Sequence, residues 1–220
     1  MKAKTITALV FQNKAADRVA VFVDGEFAFA LAAILAAPLR IGQVMEEQEI
    51  DALRAADAQE RAWEMALKFL SFRPRSEVEV RRYLAGKGMD AAADPVIERL
   101  HRLGYLDDRA FAQAWVASRS ALRPKGPRAL QYELRSKGVA ADVIADALAD
   151  VAADEAAYAA VGQRAARWRM LEPGMFRQKV HAFLARRGFD YEIIQKTVDR
   201  LLSEVYDAAS IESPEIETEP

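Results

Sequence analysis

The residues best suited to chemistry in this chain are cations that stand where helix electrostatics disfavours them. They lie in loops that lead into predicted helices: Arg73, Arg75, Arg123, Lys125 and Arg128. The first turn of a helix lies at the positive end of the helix dipole, where a carboxylate stabilises the helix by about 0.3–1 kcal/mol. Cations at this place cost a little stability. They indicate an anion-attracting surface, suited to phosphate or to carboxylates of a partner protein.

Motifs for catalysis or cofactor binding are absent from the sequence. There is no phosphate-cradling glycine loop, no dinucleotide fingerprint and no metalloprotease motif, and the chain has no cysteine. His101 and His181 lack a second metal-type ligand at useful spacing. Asp107 and Asp108 are adjacent carboxylates, for which acid–base chemistry and helix capping are the alternatives, and capping is the commoner role. The sequence therefore predicts no enzyme, no cofactor and no metal, with an active site built from scattered carboxylates as the alternative.

An internal repeat of fifty residues provides the elements that position the cations. Each copy contains two apolar residues four positions apart, then a cation, then a glycine. The copies are Val80–Leu84–Lys87–Gly88, Leu130–Leu134–Lys137–Gly138 and Val180–Leu184–Arg187–Gly188. Apolar residues at this spacing share one face of a helix, and glycine ends a helix by adopting positive φ. The pattern predicts three helices with Schellman endings, in which the cations face the negative end of the dipole.

Around each copy the apolar period is that of helices, with three of them in each unit. Ser76 with Glu79 is a capping box that begins the second helix of the first unit. Trp63, Trp115 and Trp168 recur in the first helix of each unit, where a core position is commoner than a base-stacking role. The expected fold is mainly α, with three tandem three-helix repeats in an elongated curved array.

The first 35 or so residues alternate like strands, and we expect strands to be confined to them. Asp24 and Gly25 lie between two such runs and are typical of a two-residue hairpin. A small β-hairpin or three-stranded element is expected, followed by a helix near Glu46 to Ala56. The predicted domains are the N-terminal element 1–58, the repeats 59–106, 107–152 and 153–207, and a disordered acidic tail 208–220.

Charge is unevenly distributed along the chain. Residues 61–140 contain 16 Lys and Arg against 9 Asp and Glu, whereas residues 141–220 contain 9 against 15. This asymmetry favours a negatively charged partner for the first two repeats, and a solvated mixed-charge surface is the alternative. The lack of cysteine, of a signal sequence and of a long apolar run predicts a cytoplasmic protein that does not enter a membrane.

Four blocks of the sequence resemble a known family. They are LSFRPRSEVEVRRYLAGKG, LGYLDDRAFAQAWVASR, RPKGPRALQYELRSKGV and FLARRGFDYEII, in this order between Trp63 and Leu202. Together they resemble the RecX family, whose members regulate the RecA recombinase. The N-terminal hairpin resembles an extension that many family members carry, but it is less distinctive.

The resemblance implies an all-helical module of three tandem three-helix repeats that binds the RecA nucleoprotein filament and modulates it. The usual effect is inhibition of ATP hydrolysis, strand exchange and filament growth, although the sequence leaves open whether this chain inhibits or promotes. The setting implied is DNA repair, homologous recombination and the SOS response. The implied partners are RecA and, more weakly within the filament, single- or double-stranded DNA, and the chain is expected to be a monomer.

Carried over by position, the implied contact residues are cations of the first two repeats: Arg73, Arg75, Arg81, Arg82, Lys87, Arg123, Lys125, Arg128, Arg135 and Lys137. The third repeat is more acidic, which favours a protein-facing role for it. From the residues alone, the competing hypothesis is a helical nucleic-acid-binding module that acts without RecA. Salt dependence separates the two, because a plain DNA binder loses affinity with a slope of about −0.7 to −0.9 per phosphate contacted.

Overall fold

The computed structural model describes residues 4–12 and 15–211, and within them every side chain except those of residues 15, 16, 163 and 205–211. The chain divides into two compact units, Met1–Asp107 and Asp108–Pro220. Helices dominate both, and a small antiparallel sheet lies at the start of the first. The predicted fold class, mainly helical repeats preceded by a small β element, is confirmed.

The first unit contains β1 Lys4–Gln12, β2 Ala15–Val23, β3 Glu26–Ala32, α1 Ala33–Ala36, β4 Val44–Met45, α2 Glu47–Ser71, α3 Glu77–Ala85 and α4 Asp90–Arg102. The second unit contains α5 Asp108–Leu122, α6 Pro127–Ser136, α7 Ala141–Leu148, α8 Ala153–Trp168, α9 Pro173–Arg186 and α10 Tyr191–Ile211. The part of the predicted acidic tail that follows α10, residues 212–220, lies outside the described residues.

The sheet is antiparallel, with strand order β3-β2-β1-β4. Val23 pairs with Glu26 across the turn, where Asp24 and Gly25 have φ values of 51° and 89°. Positive φ at both central residues is the conformation that matches the twist of a two-residue hairpin. The predicted hairpin turn is therefore confirmed.

Two sequence-based expectations for this region are wrong. Strands do not end near residue 35, because Val44–Met45 pairs with Lys4 and Thr5. A strand of two residues is too short to show alternation, and this one is held by the pairing and by burial of Met45. The helix near Glu46 also does not end at Ala56. It continues as α2 through 25 residues, since no glycine or proline interrupts the stretch.

A buried ion pair attaches α2 to the sheet. The Asp57 carboxylate, only 6% exposed, accepts hydrogen bonds from Arg18 Nη1 at 3.0 Å and Nη2 at 2.9 Å. It also accepts a hydrogen bond from the Ala32 backbone N–H at 2.8 Å. Ile50 of the same helix packs into the sheet core, whereas Trp63 packs into the core of the first repeat. One helix thus serves both cores.

The repeated helix endings are as predicted. The six apolar residues of the repeat have no exposed surface: Val80, Leu84, Leu130, Leu134, Val180 and Leu184. The three glycines have φ values of 71–80°. The N–H of the residue after each glycine donates to the leucine carbonyl, as from Met89 to Leu84 at 3.0 Å. This bond is the defining contact of a Schellman ending.

The capping box is present, and all three tryptophans lie in or against the core of their repeat. The Glu79 N–H donates to Ser76 Oγ at 3.2 Å, and the Ser76 N–H donates to Glu79 Oε2 at 3.3 Å, so the capping box is confirmed. Trp63 is buried in the core of its repeat. Trp115 and Trp168 are half-buried and pack against the cores of the second and third repeats.

Candidate binding surface

In the first repeat, the structure gives Arg73 an internal role. Its guanidinium donates to both oxygens of Glu79, at 2.8 and 3.1 Å, and to the Pro74 carbonyl at 2.8 Å. The carboxylate that caps α3 therefore also neutralises this cation. The unfavourable position of Arg73 at the start of α3 is thus offset by the residue that caps the helix.

Arg75 is held on an aromatic stack. Its guanidinium lies 3.9 Å from the ring centre of Phe69, which stacks on Tyr83 at 4.2 Å with the ring planes 2° apart. Burial first, and the charge of Arg73 second, lower the pKa of Arg75, against the opposing effect of Glu79. Its Nε is buried and has no hydrogen-bond partner among the described residues. The ring face thus stabilises this cation without neutralising it.

The other implied cations of the first repeat lie along α3 and its end. Arg81 is paired with Glu77 at 2.7 Å and with Asp94, and hydrogen bonds first to Asp94 and then to Glu77 raise its pKa. Arg82 and Lys87 are exposed. Lys87 Nζ lies 5.9 Å from the Tyr83 ring, at the far end of the stack from Arg75.

In the second repeat, the Glu133 carboxylate on α6 accepts hydrogen bonds from several side chains. Glu133 accepts hydrogen bonds from Trp115 Nε1 at 2.8 Å, from Arg119 Nε at 2.9 Å and from Lys125 Nζ. Burial alone raises the pKa of Glu133, but the hydrogen bonds from Lys125, Arg119 and Trp115 outweigh it and hold the pKa below its usual range. Lys125 therefore serves the fold, and it is only partly available to a partner.

The remaining implied cations of the second repeat differ in exposure. Arg123 and Arg135 are exposed, and Arg128 pairs with Asp190 of the third repeat while keeping 75% of its side chain exposed. Lys137 Nζ lies 4.2 Å from the Trp115 ring, which Arg119 also contacts at 4.3 Å. The tryptophan expected in the core is thus also a support for two cations.

The ten implied residues fall into two groups, one in each compact unit. The first group contains Arg73, Arg75, Arg81, Arg82 and Lys87, and the second contains Arg123, Lys125, Arg128, Arg135 and Lys137. Within the second unit the structure adds cations of the third repeat that were not among the implied contacts: Arg164, Arg186 and Arg187. The equivalence of Lys87, Lys137 and Arg187 in the repeat is the signal that could have found the last of them.

The described part of the chain offers neither a cluster of metal ligands nor a membrane-spanning helix. Among the side chains that the structure describes, no three of His, Cys, Asp or Glu come together as a group that could hold a metal ion. None of the described helices combines the length and apolar character needed to cross a lipid bilayer.

Comparison with known families matches four segments of the chain to domains of one family. The profiles described as the first, second and third three-helix domains of RecX match residues 62–100, 107–148 and 153–198. The profile of the regulatory protein RecX N-terminal domain matches residues 4–46.

Individual relatives and solved structures agree with these profiles. The regulatory proteins RecX of Bacillus pumilus and Bacillus velezensis are 32% and 30% identical over 218 and 214 residues, which cover 96% and 94% of this chain and 81% of each relative. A crystal structure of regulatory protein RecX superposes with a TM-score of 0.70 at 26% identity, covering 89% of this chain and 99% of that one. RecX from Lactobacillus salivarius shares the fold, with a TM-score of 0.62 at 24% identity, over 67% of this chain and 99% of that one. Because the match includes the N-terminal element and every helical repeat, the chain belongs to the RecX family of regulatory proteins.

Proposed function

We propose that this chain binds the RecA–DNA nucleoprotein filament and inhibits its ATP hydrolysis, strand exchange and growth. The observation that carries the proposal is the match to regulatory proteins RecX over 94–96% of the chain. In this proposal the chain acts as a monomer in the bacterial cytoplasm. RecA is the main partner, and DNA within the filament is the weaker one.

The cations that contact the filament are, in this proposal, the exposed members of the implied set: Arg82, Lys87, Arg123, Arg128 and Arg135. The partly buried members Arg73, Arg75, Arg81, Lys125 and Lys137 fix the surface from which the others project. Charges on a contact surface contribute chiefly to specificity and to the rate of association.

Inhibition follows from occupancy in this proposal, because the sequence contains no glycine loop for holding ATP. The chain therefore does not compete for nucleotide by binding it. It lowers turnover of the recombinase by covering filament surface that subunits need for exchange with solution or with a second DNA strand.

The test is the RecA ATPase on single-stranded DNA, measured with increasing amounts of this chain. The informative variant is Lys87→Glu/Arg123→Glu/Arg135→Glu, because these three side chains are exposed and have no ion pair with a described residue. Arg75 and Lys125 are left unchanged, since a glutamate in place of Lys125 would face Glu133. We expect the variant to fold and to lose inhibition at moderate salt.

A matched control reverses three exposed cations outside the implied set: Arg40, Arg61 and Lys179. It changes net charge equally and should keep its inhibition. Full inhibition by the well-folded Lys87/Arg123/Arg135 variant would reject the first two repeats as the contact surface. An unmodified chain with no effect on the recombinase would reject the proposed function itself.

A further inference from the structure

The second and third repeats meet at a backbone contact that leaves no room for side chains. The Gly126 N–H donates to the Arg187 carbonyl at 2.9 Å. A Cβ added to Gly126 would lie 2.2 Å from the Gly188 carbonyl oxygen, and a Cβ added to Gly188 would lie 2.5 Å from the Ala129 nitrogen. The loop before α6 is thus fixed against the end of α9. We call this contact the glycine junction.

Three arginines converge beside the glycine junction. Arg187 Nη1 donates to the carbonyl of Pro124 at 2.9 Å. Pro124 directly follows Arg123, so the Arg187 guanidinium lies beside the loop that carries Arg123. The Arg187 guanidinium lies 4.6 Å from the Phe183 ring centre, and Arg164 lies 5.0 Å from the same centre. Two guanidinium groups therefore lie against a single ring, and the charges of Arg164 and Arg123 both act on Arg187.

The charge of these arginines is not compensated locally. Burial first, then the charges of Arg164 and Arg123, lower the pKa of Arg187. Among the described residues, no carboxylate lies within ion-pair distance of Arg123, Arg164 or Arg187. By contrast, Arg177 and Arg200 of the same repeat are paired with Asp199 and Glu155. A cluster of like charges held together in this way is stabilised by a bound anion.

A groove with an exposed aromatic ring adjoins the cluster. It has a volume of about 400 Å³, and its lining includes Gly188, the residue that follows Arg187. The other lining side chains include Tyr132, the cations Lys125, Arg128 and Arg186, and the Glu133 carboxylate, which is paired with Lys125 and Arg119. The Tyr132 side chain is 76% exposed although it is an aromatic residue. Cations combined with an exposed ring are the two features by which proteins hold single-stranded nucleic acid without reading its sequence.

We propose that the glycine junction carries a binding site for single-stranded nucleic acid, in which Arg123, Arg164 and Arg187 bind backbone phosphates and Tyr132 stacks on a base. The site rests on the proposed function for its biological setting, the DNA inside a recombinase filament. It assigns to the third repeat a nucleic-acid contact that its acidic composition does not suggest.

The test uses the full chain and a fluorescein-labelled oligothymidylate without recombinase, followed by fluorescence anisotropy over a series of salt concentrations. The variant is Arg123→Gln/Arg164→Gln, which spares the Arg187–Pro124 hydrogen bond. We expect its affinity to fall roughly tenfold at low salt, since two charge-assisted interactions are removed. The slope of log affinity against log salt should become shallower by about 0.7 for each phosphate that the variant no longer neutralises.

Two further variants make the result specific. Arg177→Gln/Arg200→Gln removes the same amount of charge, from the third repeat, but only from existing ion pairs, and it should bind as the unmodified chain does. Tyr132→Ala should weaken binding about fivefold or more and leave the salt slope unchanged, because stacking releases no counterions. Tyr132→Phe should retain affinity.

Several outcomes would overturn the site. An unmodified chain that does not bind the oligothymidylate at low salt would do so, as would equal losses in the Arg123/Arg164 variant and its charge-matched control. Polyglutamate that competes as well as the oligothymidylate would identify the cluster as a carboxylate-binding surface for protein. The RecA ATPase measured beside DNA binding separates this inference from the proposed function. An unmodified chain that inhibits the recombinase but does not bind the oligothymidylate would reject the site alone, whereas an unmodified chain that binds the oligothymidylate but does not inhibit would reject the proposed function alone.

Discussion

Replacement of Gly126 by alanine tests the contact on which the second unit depends. The backbone of Gly126 has φ −73° and ψ 160°, values that any residue adopts, so glycine is required there for space alone. The added methyl group would lie 2.2 Å from a backbone oxygen that no side-chain rotation can move. The loop must therefore separate from the end of α9.

The cost follows from the hydrogen bonds that separation would break. The Gly126–Arg187 backbone hydrogen bond contributes about 1 kcal/mol, and the charge-assisted bond from Arg187 to Pro124 contributes about 1.5–3 kcal/mol. Alanine recovers about 0.4–1 kcal/mol by restricting the unfolded chain. We expect a net decrease of about 2–3 kcal/mol in the free energy of unfolding. This decrease corresponds to a fall of roughly 5–10 °C in Tm.

The assay is thermal unfolding followed by circular dichroism, with amide hydrogen exchange to localise the change to α6 and α9. Gly86→Ala is the control, because Gly86 is in the right-handed helical region at φ −63° and a Cβ there would lie 3.4 Å from the Arg82 carbonyl oxygen. The control should unfold at or slightly above the Tm of the unmodified chain. A Gly126→Ala protein that unfolds within about 1 °C of the unmodified chain would refute the steric reasoning.

Two other predictions concern charges inside the fold. Asp57→Asn leaves Arg18, only 25% exposed, without its carboxylate partner. We expect the free energy of unfolding, measured in urea, to fall by about 2–4 kcal/mol. Recovery of most of that stability in Arg18→Met/Asp57→Asn would confirm that the unpaired charge is the cause. The pKa of Glu133 is lower in the folded chain than its usual value of 4.5. The ionised Glu133 carboxylate therefore contributes its full stabilisation of the fold above pH 4.5, and this stabilisation disappears as the pH falls through the folded pKa. Glu133→Gln should therefore show a shallower decline of stability below about pH 4.5 than the unmodified chain, and parallel pH profiles would contradict this assignment.

The repeated core and its endings were accessible to sequence reasoning because they depend on local spacing. An apolar pair four residues apart and a glycine four residues later specify a helix face and a Schellman ending without reference to distant parts of the chain. The Asp24-Gly25 turn is local in the same sense. These features were confirmed, as was the capping box of Ser76 and Glu79.

What the sequence could not show depends on partners far apart in the chain. Asp57 can be buried within a helix because it pairs with Arg18, which lies 39 residues before it. The residues around position 57 contain no pattern that predicts this partner. Burial of Lys125 depends likewise on Glu133 and Trp115, which come from different helices. A count of charges along the sequence therefore does not distinguish Lys125, which is paired inside the fold, from the exposed cations of the second repeat.

The repeat also explains why the acidic third repeat can supply uncompensated cations. Equivalent positions 83, 133 and 183 are Tyr, Glu and Phe, and cations lie against all three. Glu133 neutralises the cations that it holds, whereas the Phe183 ring attracts Arg164 and Arg187 through its face and leaves their charge intact. Exchange of a carboxylate for a ring at one repeated position thus converts an internal ion pair into a positively charged surface.

Phe183→Glu should reverse this conversion, because the new carboxylate would pair with the arginines that the ring leaves charged. We expect the variant to lose affinity for the oligothymidylate although Arg123, Arg164 and Arg187 are all still present. Retained affinity in a folded Phe183→Glu protein would show that phosphate binding does not depend on this ring.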